Sequence, residues 1–483
     1  MSDTRGLLDR ISAFRQRLDA TPQLIPEAIP VDEEPDGDVV AEAEAFRHSV
    51  KQIVGAPQVD PAVTLPQFTD RAKGLLATAK QLLDRQRAFT ADPLYAGLAG
   101  ASKADAVVGY HRETVAVLDA VVRLARAFPD SAAEQLKLCD GLDGLLGVVR
   151  DRLAVQERAL ARRRTDAERT DRLAGFLAAV HTHQPADLQT VATLAEELLE
   201  DARQGRPIRF VRVPVASVSA YPGGAMVPAP ARLVAAHAIN VAQVVARVLP
   251  YDYEWSGRPL LPVVAALVMD CGMLAVPAHV LAKAKPLTAD ERRVIEAHPK
   301  YGAELLLYCF PSVSGPLAAA IATHHERGDG TGYPNGLRGA DVPPLGRLLR
   351  AADVYAALSE ERPHRPAMDP RAALTEVLLC AEQGQLDRDF AEYLLNLSFY
   401  PVGTVVELTD GRVGTVVANH PNRLDPRAPG RPVVAALTTA DGSLLPRPEY
   451  VDLSAADRGG IVCGLSADRA RELLGGRYPD LVS

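Results

Sequence analysis

Cysteine is scarce in this chain. Its five residues, Cys139, Cys271, Cys309, Cys380 and Cys463, form no CxxC spacing. An odd number without close pairs excludes a disulfide framework and a zinc ribbon, and it fits a reducing compartment. Tryptophan occurs once, at Trp255, where it is expected to pack at the edge of a domain. Basic excess is also missing: 53 Lys and Arg face 61 Asp and Glu, for a net charge of −8. Nothing global would then neutralise the phosphates of a nucleic-acid polymer. The basic run Arg162-Arg163-Arg164 sits among acidic residues and is expected to be a solvated helix face. Long apolar runs are absent too. The longest, 260–269, is interrupted by Pro262 and stops at Asp270. It is too short for a bilayer and is expected to be a buried helix. The opening MSDTRGLLDR has no apolar signal core. These features predict a cytoplasmic protein that meets no membrane.

Histidine is rare as well, 11 in 483 residues, yet His237, His279, His298, His324 and His325 fall within one stretch. That stretch lies in a chain of several parts. Residues 1–40 carry a helical segment at 5–19 and then a Pro- and acid-rich linker. Residues 41–205 have helical periodicity almost throughout, as in FTDRAKGLLATAKQLLDRQRAF and YHRETVAVLDAVVRLARAF, and predict a regulatory or dimerising helical region. A Pro/Gly-rich linker spans 206–231, and helices return over 232–400. From 401 to 455 the pattern turns to strands, with GTVVEL and VGTVVA joined by an Asp410-Gly411 turn. Residues 456–483 are expected to be a final helix and tail. The fold class is therefore mainly α with a small β-rich tail.

Within 232–400 several side chains suit a metal. His237 lies in the amphipathic pattern ARLVAAHAINVAQVVARVL, and Asp270 ends the apolar run. His298 opens HPKYGAELLL, His324 and His325 close SGPLAAAIAT, and Asp353 sits in RLLRAADVYAAL. Imidazoles with carboxylates suit iron, manganese or zinc, and a bridging Asp suits two ions. Such ions lower the pKa of a water to roughly 7 and clamp a phosphodiester for attack. Singly, each of these residues is as well explained by packing or by the surface. His181-x-His183 is expected to close a helix ahead of Pro185 rather than to bind metal.

The segment HHERGDGTGYPNGLRG at 324–339 is long and specific. With LVMDCGMLAVP, LTADERRVIEAHPKYGAELL and AADVYAALSEERPHRPA, in that order, it resembles the HD-GYP family of metal-dependent phosphohydrolases. AKAKPL at 282–287 resembles that family's loop after the HD helix, and the β tail resembles its C-terminal extension. The resemblance spans roughly 231–400. It implies a helical HD-domain fold that hydrolyses cyclic di-GMP, or a related cyclic dinucleotide, to pGpG or GMP in bacterial signalling. It implies His237, Asp270, His298, His324, His325 and Asp353 as ligands of one or two divalent ions, iron or manganese, with Asp270 the catalytic position. It places Arg362 and Arg365 near substrate phosphate, although solvated loop charge explains them equally well. It places Tyr333 at the substrate cleft or at the surface of a signalling partner. A homodimer is the expected assembly.

Three positions depart from the family. Met269 stands where the HD histidine is expected and Met273 where the motif lysine is expected, while Leu233 replaces the acidic residue of three-metal members. A thioether is a poor ligand beside carboxylates and imidazoles, so one metal position should be weakened and a third ion excluded. Cys271 and His279 are the nearby groups able to compensate. Three functions follow: a phosphodiesterase with an altered centre, a nucleotide or partner receptor built on a retired one, and a helical scaffold centred on 41–205. Metal content separates the last from the first.

Overall fold

The computed structural model describes residues 65–95, 132–211, 229–360, 367–418 and 430–473, apart from short gaps within those stretches. The helices expected at 5–19 and 110–128 and the linker at 21–38 lie outside the described residues, as does most of the expected final helix. Arg362 and Arg365 lie outside them as well.

Among the described residues two long helices come first, α1 (Leu65–Thr90) and α2 (Ala132–His181). Arg85 grips Glu157 with two nitrogens, Nε at 2.9 Å and Nη2 at 2.5 Å, and Arg71 pairs with Asp140. Arg164, from the basic run, pairs with Asp92. These contacts advance along both helices together, so α1 and α2 run parallel. Helix α3 (Leu188–Arg203) follows, capped by Asp187, whose side chain accepts from Gln189 N.

The second half of α2 and α3 pack into the same core as the helices beyond, with Leu173, Leu177, Leu194 and Leu198 almost fully buried. At the centre of that core lies α4 (Ala229–Val248). Its sequence pattern looks amphipathic, but the fold buries nearly every side of it, because α2, α3, α5 and α10 all pack around it. Small residues such as Ala235, Ala238, Ala242 and Ala246 let those neighbours approach. Among the described helices α4 and its extension, Ala229–Tyr251, are long and apolar enough to cross a membrane, but most of that surface is enclosed by protein.

The remaining helices are α5 (Leu260–Val268), α6 (Ala278–Leu281), α7 (Ala289–Glu296), α8 (His298–Cys309), α9 (Gly315–Thr323), α10 (Pro344–Ser359), α11 (Pro370–Glu382) and α12 (Arg388–Tyr393). Helix α7 begins in a capping box, with Thr288 and Glu291 each bonding the other's backbone N–H.

The tail is one antiparallel sheet of β1 (Val405–Leu408), β2 (Val413–Ala418), β3 (Val433–Thr438), β4 (Leu444–Asp452) and β5 (Ile461–Gly464), in the order β4-β3-β2-β1-β5. The Asp410-Gly411 turn joins β1 to β2, with Gly411 at φ +84°. Strand β5 falls in the stretch assigned from sequence to a final helix and tail. It is a short edge strand without a clean alternation of buried and exposed residues, which is why its pattern carried no signal. The sheet has its own small core around Val406, Val416 and Val434. Arg371 of α11 donates to the Tyr400 hydroxyl at 3.2 Å and so ties the helical part to the start of the tail.

Candidate metal centre

Asp270 sits where the chain leaves α5. Met269 still has helical dihedrals, but Asp270 turns to φ −94° and ψ 13°. The next residues run against α8, where a Cβ on Gly272 would lie 2.2 Å from the His298 carbonyl oxygen. Only glycine permits that approach. Gly302, one turn along α8, meets Gly272 in the same way. This crossing carries His298 to Asp270, with Nε2 3.1 Å from Oδ1. A second close approach joins α9 to α10, since a Cβ on Gly346 would lie 2.5 Å from Thr323 Oγ1. It brings His324 and His325, just past α9, beside Asp353 of α10.

All six candidate ligands gather as a result. His324 Nε2 lies 3.4 Å from Asp270 Oδ1 and 3.2 Å from His298 Nε2. His237 Nε2 lies 3.0 Å from Asp353 Oδ1 and 3.8 Å from Asp270 Oδ2. His325 Nδ1 lies 3.7 Å from Asp353 Oδ2. Asp270, His298, His324 and His325 can each offer a donor atom within 4.8 Å of the others.

The hydrogen bonds fix which ring atoms face inward. His298 Nδ1 is 2.6 Å from the Ile295 carbonyl oxygen and His324 Nδ1 is 2.6 Å from that of Ile321. A carbonyl only accepts, so each Nδ1 carries the proton and each Nε2 presents a lone pair. Two lone pairs and a carboxylate oxygen therefore converge in a buried space. Without a cation that arrangement is repulsive, and with one it is a ligand set. Nitrogen and carboxylate donors fit a divalent first-row ion. Burial alone would raise the Asp270 carboxyl, but the neighbouring His298 and His324 imidazoles prevail and hold it well below the usual range.

Tyr333 is also brought to the site, its ring stacked on His325 at 4.7 Å and 25°. Its loop folds back because Gly332 lies against the backbone of 326–327, where a Cβ would come within 2.3 Å of Arg327 N. Glu326 is buried beneath the loop and accepts from Asn335 N at 2.7 Å and Leu337 N at 3.0 Å.

The departures from the family lie elsewhere. Met269 is fully buried in the apolar core, and Met273 packs half-buried against it. Leu233 is half-buried on α4. Neither Cys271 nor His279, weighed as compensating groups, reaches the cluster. The Cys271 thiol donates to the Gly302 carbonyl oxygen at 3.3 Å, and burial pushes it up to about 12. His279 is exposed on α6.

Sequence reasoning missed three residues. Glu360 receives His237 Nδ1 at 3.0 Å and Asn240 Nδ2 at 2.8 Å. Asn240 also accepts from Val211 N at 2.7 Å. Arg350 Nη1 lies 3.0 Å from Asp353 Oδ2 and 3.1 Å from His325 Nδ1. Helical spacing was the available signal, since Asn240 is three residues past His237, Arg350 three before Asp353, and Glu360 seven after it. Burial would lower the His237 imidazolium, but the Glu360 charge and the Asp353 hydrogen bond raise it well above its ordinary value. Burial, helped by the neighbouring His324, drives His325 well below the ordinary value.

Comparison with known proteins matches residues 226–390 to the HD domain family. Residues 405–467 match a KOW domain associated with HD domains. The chain is 36% identical over 157 residues to a cyclic di-GMP phosphodiesterase of Pseudomonas aeruginosa, covering 32% of this chain and 37% of that protein. It is 41% identical over 122 residues to the cyclic di-GMP phosphodiesterase response regulator RpfG of Xanthomonas campestris pv. campestris, covering 25% and 32%. It is 40% identical over 110 residues to a 3'3'-cGAMP-specific phosphodiesterase of Vibrio cholerae, covering 23% and 24%. The chain thus spans about a third or less of the length of these relatives.

Proposed function

We propose that this chain, whose residues 226–390 are an HD domain of the HD-GYP type, hydrolyses a phosphodiester bond of a cyclic dinucleotide in a metal-dependent reaction in bacterial signalling. The substrate is cyclic di-GMP, with 3'3'-cGAMP the related candidate, since relatives named for each are similar to this chain. One observation carries this reading: the His298 and His324 Nε2 lone pairs converge with Asp270 Oδ1 inside 3.4 Å. Iron or manganese bound there supplies Lewis acidity for phosphodiester hydrolysis.

The chain's own residues do the rest. Asp270, His298 and His324 hold the ion, and the Ile295 and Ile321 carbonyls keep both rings in the binding tautomer. The Asp353–His237–Glu360 series holds a proton on His237 beside the ion site. The Tyr333 ring offers a flat wall on which a base can stack. By the family resemblance Arg362 and Arg365 are the candidates for the substrate phosphates, and the loop around Tyr333 is the candidate surface for a signalling partner. Self-association through the helices of 41–205 completes the proposal, and sedimentation of the full chain at the mass of one copy would refute that part.

The test of the main reading is hydrolysis of cyclic di-GMP by anaerobically purified protein with added Fe(II) or Mn(II). A linear pGpG or GMP product that disappears with chelator supports the enzyme. A second reading, a receptor that binds the nucleotide uncleaved, is favoured by Met269, whose side chain lies in the core where the motif has an imidazole. Saturable binding without product from metal-loaded protein would establish it.

A further inference from the structure

We propose that the Arg350 guanidinium is a built-in counter-ion for the Asp353 side of the centre, so that the centre takes one divalent ion, at Asp270, His298 and His324, and no second. This rests on the metal-centre reading above. Arg350 lies one turn before Asp353 on α10, and its Nη1 is 3.0 Å from Asp353 Oδ2 and 3.1 Å from His325 Nδ1. A guanidinium keeps its protons in a protein, so Nη1 donates in both directions. The other Asp353 oxygen, Oδ1, faces His237 Nε2 at 3.0 Å. Both oxygens of this carboxylate are therefore met by nitrogen, and the side chain is almost wholly shielded from water.

The consequence for His325 is a difference in tautomer. Its Nδ1 accepts from Arg350, so the neutral ring carries its proton on Nε2. His298 and His324 are arranged the other way, with Nδ1–H bonded to carbonyls. The donor group of Asp270, His298, His324 and His325 thus divides into three groups with lone pairs turned inward and one ring already engaged by a fixed cation. A second ion between His325 and Asp353 would have to displace Arg350, because one carboxylate would otherwise face two cations within contact distance. Met269 adds nothing on that side, because its side chain is in the core.

The experiment is metal content after loading the full chain with excess Mn(II), read by elemental analysis and by electron paramagnetic resonance. Wild type is expected to hold one ion per chain with the six-line spectrum of isolated Mn(II). Arg350→Ala and Arg350→Met are expected to hold two, with an exchange-coupled spectrum, and Arg350→Lys to stay at one. Arg350 also borders a cavity of about 200 Å³, so shortening it removes little packing. Two coupled ions in wild type would overturn the assignment of Arg350 and leave the metal centre standing. One ion in both folded Arg350→Ala and Arg350→Met would overturn it as well. No ion in folded wild type would sink the metal centre itself and this inference with it.

Discussion

The two carboxylates of the centre, Asp270 and Asp353, are both buried and both held below the usual carboxylate range, yet for different reasons. Burial would raise each of them. At Asp270 the opposing groups are His298 and His324, whose Nε2 atoms lie 3.2 Å from each other and face the carboxylate. At Asp353 burial is opposed by the His237 hydrogen bond, then by the charges of His237 and Arg350. One of those partners, Arg350, is a permanent cation, and another, His237, is charged through Glu360. The same residue types thus give one side where imidazole nitrogens and a carboxylate oxygen face one another and one side that carries its own cation. Counting candidate ligands does not distinguish the two; asking what each partner's far nitrogen touches does.

Removing the Asp270 side should have the largest effect. Asp270→Ala is expected to reduce both bound metal and hydrolysis to background, because Asp270 Oδ1 is the oxygen that His298 and His324 share. Retained stoichiometric metal in that variant would move the site away from Asp270. Next in size is Met269→His, the change that restores the family's residue. Here it puts an imidazole into a fully buried apolar site, at a cost of about 1–3 kcal/mol in folding stability. Metal content is expected to stay at one ion while Arg350 is present. A rise to two ions in Met269→His alone would make the missing imidazole, rather than Arg350, the limit.

Much of this arrangement could be read in the chain. HHERGDGTGYP drew attention to the region where the candidate ligands His237, Asp270, His298, His324, His325 and Asp353 lie together, and the Asp410-Gly411 hairpin and the helical class are as expected. What escaped was the environment of the ligands. Periodicity makes α4 amphipathic, because alternating small and large apolar residues look the same whether one face is covered or all of them are. Cys271 is next to Asp270 in sequence, but the Gly272–Gly302 crossing turns its thiol to a carbonyl. Arg350 and Glu360 look like surface charges on an ordinary helix, and only the approach of α4 and α9 to α10 turns them inward.

A smaller effect separates the two sides by pH. Glu360 and Asp353 outweigh burial and raise His237 well above its ordinary value of about 6.5. A group raised in the fold gives stability that is complete below its unfolded pKa and is lost as pH climbs through its folded one. Chelator-treated protein should therefore lose thermal stability as pH rises from about 7 into the alkaline range. Glu360→Gln removes the largest raising charge and should flatten that slope. An unchanged slope in Glu360→Gln would exclude His237 as its source.

The smallest effect is expected outside both carboxylates, at the loop that closes over them. Glu326 accepts two backbone N–H groups, from Asn335 and Leu337, with its two oxygens. A glutamine there keeps one acceptor and turns an NH2 towards the other donor, leaving a buried N–H unbonded at about 1–3 kcal/mol. The loop carries Tyr333, whose ring covers His325 and meets His298 edge-on, but it is not among the groups that can offer a ligand atom beside Asp270. Glu326→Gln should thus lower the melting temperature by a few degrees and raise KM for the dinucleotide while leaving metal content unchanged. Loss of metal in this variant would mean that the loop, through Tyr333 and His325, helps to hold the ion, and the division between the two sides would have to be redrawn to include it.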